Sequence, residues 1–224
     1  MVPKYLIMPI NVLEEHPYLN EINYREFDSM YYENLIIGSF PIFSITNTRT
    51  PANDLIEHPF NENDSYMRFF YGSTKNKFWS LFSEALNERD PTQLPLGDRV
   101  SEAKKILIKH KYLITDTLCR TNRKNFSALD SDLWKQSNSP FVNQNMALNY
   151  NISELLEINK NIKYLFFTAT GLIGKNPLGW FRDIFGNHLV IEAINQIGGR
   201  NISASLTING RVFEAFLLLS PGGN

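Results

Sequence analysis

Asn76 is the side chain in this sequence with the clearest chemical use. It stands between Lys75 and Lys77, just ahead of the aromatic pair Phe78-Trp79. A neutral amide does not abstract a proton at neutral pH, but it can orient a water molecule and hydrogen-bond a leaving group. An Asn ahead of an amphipathic run is also a common helix N-cap. A catalytic role and a capping role are therefore both open for Asn76, and we expect Phe78 and Trp79 to lie in the core.

A second candidate segment ends a buried strand. The apolar run 34–37 stops at the turn Gly38-Ser39-Phe40-Pro41, and open α/β sheets bind their ligands where strands end in this way. The backbone of this turn can line a pocket, and Phe40 or Phe43 can stack on a planar ligand. The alternative is a tight turn with a packed aromatic side chain.

Three further polar loops follow predicted strands, at 116–123, 168–171 and 220–223. The carboxyl ends of parallel strands share one edge of a sheet, so these loops and Gly38–Phe43 are predicted to converge on one crevice. Asp116 could act there as an acid or a base. A carboxylate at a strand end often caps the following turn, and we expect that role for Asp116.

The elements that position these loops indicate an α/β protein. Predicted strands alternate with predicted amphipathic helices, which implies right-handed crossovers and a mainly parallel sheet. The pair Asn209-Gly210 predicts a tight C-terminal hairpin. The expected strands are 34–40, 112–116, 163–169, 201–208 and 211–219; the expected helices are 76–88, 99–110 and 151–160; the rest includes a lead-in with short helical pieces (1–33) and a long loop (45–68).

Composition excludes several classes of protein. The 224 residues predict one domain, 1–224, and the net charge of −1 gives no global basic field, so any contact with nucleic acid must come from a local patch. One cysteine, Cys119, excludes an internal disulfide and a four-cysteine cluster, and the four scattered histidines do not indicate a metal site. With no signal peptide or membrane-length apolar run, we expect a cytoplasmic monomer without a cofactor.

Four segments in order resemble a known superfamily. Gly38-Ser39-Phe40-Pro41 is followed by 71–79 with its Asn-x-Phe-Trp end, by Thr115-Asp116 with Arg120, and by Leu219-Ser220-Pro221. This order resembles the uracil-DNA glycosylase superfamily, especially its hypoxanthine-DNA glycosylase and mismatch-specific uracil glycosylase branches. The resemblance implies a three-layer αβα sandwich around a short, mainly parallel four-stranded sheet, with the hairpin at its C-terminal end.

The resemblance also implies a function. These enzymes repair DNA by hydrolysing the N-glycosidic bond of a deaminated base, here uracil or hypoxanthine, without a metal, and the reaction passes through an oxocarbenium-like sugar. Asn76 would be the catalytic residue, since Ser39 and Phe40 stand where many members carry an Asp or Asn. The substrate-binding residues would be Gly38, Ser39, Phe40, Pro41, Phe43, Tyr71, Ser220, Pro221 and Gly222, and the DNA phosphates would contact Lys75, Arg120, Arg123 and Lys124.

One departure leaves the excised base open. The hypoxanthine branch usually has His-Pro-Arg before the Asn, and this chain has Ser73-Thr74-Lys75. Two other functions stay open beside the glycosylase: a catalytically inactive nucleic-acid-binding module of the same fold, and a hydrolase of free nucleosides. The cluster of Arg and Lys favours a nucleic-acid partner, single- or double-stranded, over a small molecule.

Overall fold

The alternation of apolar strands and amphipathic helices produces an α/β fold, as the sequence predicts. A computed structural model describes residues 13–19, 31–41, 47–49, 67, 69–73, 76–122, 133 and 147–220. In chain order its elements are β1 (Leu13–Glu15), β2 (Asn34–Gly38), β3 (Asn47–Arg49), α1 (Phe78–Ala85), α2 (Leu96–Lys109), β4 (Tyr112–Asp116), β5 (Leu118–Asn122), β6 (Ala147–Leu148), α3 (Asn151–Ile158), β7 (Tyr164–Phe167), α4 (Pro177–Phe185), β8 (Leu189–Gly198), β9 (Asn201–Ile208) and β10 (Arg211–Leu217). Short 3-10 turns lie at 91–93 and 186–188.

The main sheet has six strands in the order β4-β2-β7-β10-β9-β8. Strands β4, β2, β7 and β10 run parallel, and β9 and β8 are antiparallel additions at one side. The sheet is therefore mixed and larger than the four-stranded, mainly parallel sheet that the family resemblance implies.

Helices cover both faces of this sheet because the side chains of a strand alternate between them. Leu35 and Ile37 of β2 belong to a core cluster with residues of α3 and α4. Ile36, between them, belongs to a second cluster with Phe78 and Trp79 of α1 and with residues of α2. The expectation that Phe78 and Trp79 are core residues is confirmed, since they are 8% and 0% exposed.

The C-terminal hairpin forms as predicted, but it is part of a three-stranded meander. Asn209 and Gly210 have φ angles of 49° and 78°, the left-handed conformation that a primed turn requires. Strand β8 is absent from the sequence-based prediction. Most of its residues are exposed, and its sequence therefore lacks the alternation that marks a half-buried strand. A bulge between Glu192 and Asn195 also interrupts its pairing with β9.

A second, small antiparallel sheet has the order β3-β1-β5-β6. Residues 13–15 form its strand β1, which corrects the expectation of helical pieces in the part of 1–33 that the structure describes. Strand β5 begins two residues after β4 ends, and its pairing continues past β1, where the backbone N–H of His16 donates to the carbonyl of Cys119 at 2.8 Å. The small sheet thereby carries His16 to the carboxyl end of β4.

The other boundaries agree closely with the sequence pattern. Helices α1, α2 and α3 lie within three residues of their expected starts and ends, and β4 has the expected bounds. Helix α4 was not predicted, although Asn176 accepts a hydrogen bond from the N–H of Gly179 and Pro177 follows it, a recognisable helix start. No helix in the described ranges is long and apolar enough to cross a membrane.

Candidate functional site

The predicted loops do begin side by side at the carboxyl edge of the parallel strands. Gly38 at the end of β2 pairs with Asp116 at the end of β4. The N–H of Thr168, just after β7, donates to the carbonyl of Ile37 at 3.1 Å, and the N–H of Leu218, just after β10, donates to the carbonyl of Phe167 at 2.9 Å. The four strand ends are therefore adjacent, as a ligand site in an open sheet requires.

At this edge Asp116 pairs with a histidine. Its Oδ2 lies 2.8 Å from Nε2 of His16, and the two side chains are 5% and 0% exposed. The sequence predicts that Asp116 caps the following turn, and this prediction is wrong. The backbone of that turn is held instead by Asn149, whose Nδ2 donates to the carbonyl of Asp116 at 2.8 Å.

The hydrogen bonds of His16 fix its tautomer. The backbone N–H of Tyr18 donates to Nδ1 at 3.1 Å, so Nδ1 must be the unprotonated nitrogen. Nε2 then carries the proton and donates it to Asp116. The ring also has Phe40 edge-on at 5.6 Å and Phe70 tilted at 5.1 Å between centroids, so aromatic packing holds it in place.

The second oxygen of Asp116 has a different environment. Oδ1 is buried, and no described residue hydrogen-bonds to it. A Cβ built at Gly38 would lie 2.2 Å from this oxygen and 2.1 Å from the hydroxyl oxygen of Tyr71. Both oxygens therefore occupy the space above Gly38 that a side chain would fill, and only glycine is compatible with this arrangement.

Tyr71 reaches this place from a strained backbone. Its φ angle is 56°, a conformation that is rare for a bulky aromatic residue and that clusters at functional sites. Its ring packs on Phe78 with centroids 4.5 Å apart, and its hydroxyl lies 3.2 Å from Oγ1 of Thr168. Tyr71 thus links the start of α1 to the edge of the sheet.

Asn76 lies two residues before Phe78, the first residue of α1. Its Oδ1 accepts a hydrogen bond from the N–H of Phe78 at 2.8 Å. The N-cap of α1 is Lys77, so the prediction that Asn76 is the N-cap is wrong, although its side chain does bond the first N–H of the helix. A backbone N–H needs an acceptor, and the orientation of the amide is therefore fixed with Nδ2 on the other side. No described residue accepts a hydrogen bond from that Nδ2, which leaves it as a donor for a ligand.

In the turn after β2, the backbone is better placed to contact a ligand than the aromatic side chain is. Phe40 is 8% exposed and packs in a small cluster with Leu118, Leu133 and Trp180. Stacking of Phe40 on a base would require the ring to leave this cluster. Ser39 and Pro41 are half-buried, and the carbonyl of Ser39 accepts from the N–H of Leu118 at 3.1 Å.

The remaining predicted site residues fall into two groups. Arg120, on β5, and Ser220, after β10, are exposed. Arg120 follows the turn after β4, and Ser220 follows the end of β10. The others lie outside the residues that the structure describes: Phe43, Lys75, Arg123, Lys124, Pro221 and Gly222.

Sequence reasoning missed His16 as a member of the site. Its partner Asp116 is 100 residues away in the chain, and no spacing pattern connects them. The only available signal was the position of Asp116 itself, at the end of a buried strand where ligands bind.

A broad cavity of about 890 Å³ lies elsewhere, along α4. It is lined by Ile173, Gly174, Lys175, Gly179, Trp180, Arg182, Asp183, Gly186, Asn187 and Leu189. None of the predicted site residues belongs to it. Burial raises the pKa of Asp183, and the neighbouring Arg182 opposes that rise.

Among the described residues, no group of three His, Cys, Asp or Glu side chains is arranged to hold a metal ion.

Comparisons of the chain with models of protein families, with curated proteins and with solved structures found no match.

Proposed function

We propose that this protein is a monofunctional DNA glycosylase of base-excision repair, which hydrolyses the N-glycosidic bond of uracil or hypoxanthine without a metal. The observation that carries the proposal is the amide of Asn76. Its Oδ1 is held by the N–H of Phe78, so Nδ2 has a fixed direction and is available to donate to a base. The sequence resemblance assigns the catalytic role to this same residue.

Hydrolysis of an N-glycosidic bond is helped by a hydrogen-bond donor whose direction is already fixed. Cleavage of the bond leaves negative charge on the departing base and positive charge on the sugar. A donor preorganised toward a carbonyl oxygen of the base stabilises the first of these charges, and the gain is largest where the donor need not reorient during the reaction. The amide of Asn76 meets this condition because the start of α1 already holds it.

In this proposal the edge of the sheet receives the flipped nucleotide. The backbone of Gly38, Ser39, Phe40 and Pro41 lines the base pocket together with Phe43 and Tyr71. Ser220, Pro221 and Gly222 approach the phosphate 3′ to the target, and Lys75, Arg120, Arg123 and Lys124 contact flanking phosphates. The full superfamily architecture, a monomeric state and a cytoplasmic location belong to the same proposal.

The test is a single-turnover excision assay in excess chelator. Labelled single- and double-stranded oligonucleotides containing uracil, hypoxanthine or xanthine are incubated with the wild type and with Asn76→Asp. The aspartate keeps an oxygen for the N–H of Phe78 and removes the Nδ2 donor, so it separates the two functions of this side chain.

Abasic product from the wild type, reduced at least a hundredfold in Asn76→Asp, supports the proposal and names the base. Removal of one preorganised donor of this kind typically costs about 10²–10³-fold in rate. Absence of product on every substrate, with salt-sensitive binding of the same oligonucleotides, would instead indicate a noncatalytic binding module.

A further inference from the structure

The pair His16–Asp116 has an unusual division of roles. In many enzymes a carboxylate orients a histidine that acts as the base. Here Nδ1 of His16 is occupied by the N–H of Tyr18, and Nε2 donates to Asp116. Neither ring nitrogen is available to a substrate, so the histidine can only hold the carboxylate.

Oδ1 of Asp116, the oxygen that His16 does not contact, is in a position to interact with a bound molecule. Buried polar atoms are nearly always hydrogen-bonded, and a buried carboxylate oxygen without a partner is costly. Oδ1 of Asp116 is such an atom within the described residues. It lies beside Gly38 and the hydroxyl of Tyr71, at the carboxyl edge where the proposed substrate would bind. The cost is explained if Oδ1 accepts a hydrogen bond from a bound molecule.

We infer that Asp116 is a catalytic base for the hydrolysis, with His16 as its positioning residue; this inference rests on the proposed glycosylase function. In the step, the water oxygen forms a bond to C1′ of the sugar while the C1′–N bond breaks, and that electron pair leaves with the base. The proton lost by the water passes to Oδ1 of Asp116. The base departs as an anion, stabilised by Nδ2 of Asn76, and takes a proton from solvent. The negative charge of Asp116 also faces the positive sugar.

The first experiment compares the wild type with Asp116→Asn and with Glu192→Gln, an exposed carboxylate on β8 that serves as the control. The asparagine can still accept the proton of His16 and has nearly the same shape. We expect a fall of about 10²–10⁴-fold in the single-turnover rate, the usual contribution of a general base. The thermal midpoint and the oligonucleotide Kd should stay near the wild-type values, and Glu192→Gln should change none of the three.

A binding measurement tests the charge separately from turnover. One oligonucleotide carries a cationic pyrrolidine in place of the target sugar, and a second carries a neutral tetrahydrofuran. A carboxylate facing the sugar should favour the cation by about tenfold or more. Asp116→Asn should abolish this preference and leave the Kd for the neutral analogue unchanged.

The role of His16 is tested by two replacements. His16→Gln keeps an N–H near the position of Nε2, and His16→Phe keeps the aromatic packing without a donor. We expect His16→Gln to retain a rate within about tenfold of the wild type and His16→Phe to lose as much as Asp116→Asn. Equal losses in the two variants would overturn the positioning role.

The outcomes separate this inference from the proposed function. Excision at an undiminished rate by Asp116→Asn would overturn the inference and leave the glycosylase standing. No excision by the wild type would overturn the proposed glycosylase function. The comparison of the pyrrolidine and tetrahydrofuran oligonucleotides would then be the remaining test of the role of Asp116. Equal binding of the two analogues, or binding of neither, would overturn the role of Asp116 in either case.

Discussion

At the scale of single residues, the amide of Asn76 combines a contact within the fold with the proposed contact to a ligand, each made by a different atom. Its Oδ1 accepts a hydrogen bond from the N–H of Phe78, the first residue of α1. We therefore expect Asn76→Ala, which removes this hydrogen bond, to lower stability by about 1 kcal/mol, which is about 2–4 °C in the thermal midpoint for a chain of this size. Asn76→Asp should retain the midpoint, because its carboxylate can accept the same hydrogen bond from Phe78 and a negative charge suits a helix N-terminus. Differential scanning calorimetry of the two variants checks this; equal losses would contradict it.

Gly38 supports a second prediction at this scale. A methyl group there would lie 2.1 Å from the hydroxyl oxygen of Tyr71 and 2.2 Å from Oδ1 of Asp116, far inside van der Waals contact. We expect Gly38→Ala to destabilise the fold by about 1–3 kcal/mol. Adding Tyr71→Phe removes one of the two clashing oxygens and should recover part of that loss. A double-mutant cycle by urea unfolding measures the recovery, and strict additivity would show that the two residues do not compete for this space.

The residues of the candidate site differ in how far sequence could reveal them. Gly38 and Asn76 stand in short local patterns, a strand end and a helix start, whose physical causes act over a few residues. The pairing of His16 with Asp116 depends on the small sheet bringing together segments 100 residues apart. Nothing local distinguishes His16, which is why the histidines look unrelated in the sequence.

At the scale of elements, the strands and turns that could be predicted are again those with local causes, and the others depend on contacts with distant parts of the chain. Strands β2 and β4 have uninterrupted apolar runs, and the turn at Asn209-Gly210 needs left-handed residues, so these were predictable. Among the described strands, β8 pairs only with β9, at the edge of the sheet, and β8 is mostly exposed. Its strand conformation comes from that pairing rather than from an alternating pattern of its own.

Arg211 joins two elements and carries a prediction at this scale. Its guanidinium lies within hydrogen-bonding distance of four backbone carbonyls at and just after the end of α3, which its Nη1 and the two N–H groups of Nη2 share: Leu156, Asn159, Lys160 and Ile162. The carbonyl of Leu156, in the last turn of α3, would otherwise be an orphan of the helix end, and the other three belong to the segment that follows the helix. Because lysine cannot reproduce the planar fork, we expect Arg211→Lys to cost about 2–3 kcal/mol. Chemical denaturation measures this, with Arg200→Lys in the exposed turn after β8 as the control that should change little.

At the scale of the whole molecule, the net charge is −1, and ion pairs between charged side chains contribute to the pH dependence of stability. Glu88, after α1, lies 2.8 Å from Nε2 of His110 and also bonds Lys109 at the end of α2. Hydrogen bonds from Lys109 and then His110 lower the pKa of Glu88 below its ordinary value of 4.5. A similar bond from Lys111 lowers the pKa of Glu33. Both pairs tie α2 and its connection to β4 to neighbouring segments of the chain.

The sign of the resulting pH effect follows from linkage. A carboxyl group whose pKa is lower in the folded state stabilises the protein above the unfolded pKa, and that stabilisation is lost as the pH falls through the folded pKa. We therefore expect the thermal midpoint of Glu88→Gln to lie below that of the wild type at pH 7, and the gap to close as the pH falls below the ordinary value of 4.5 and through the lowered pKa of Glu88. Added salt should narrow the gap at neutral pH, since the pair is near solvent. Glu192→Gln, which removes an exposed carboxylate elsewhere, should show no such pH-dependent gap. A gap that stays constant throughout the acid range would mean that Glu88 contributes through packing rather than through its charge.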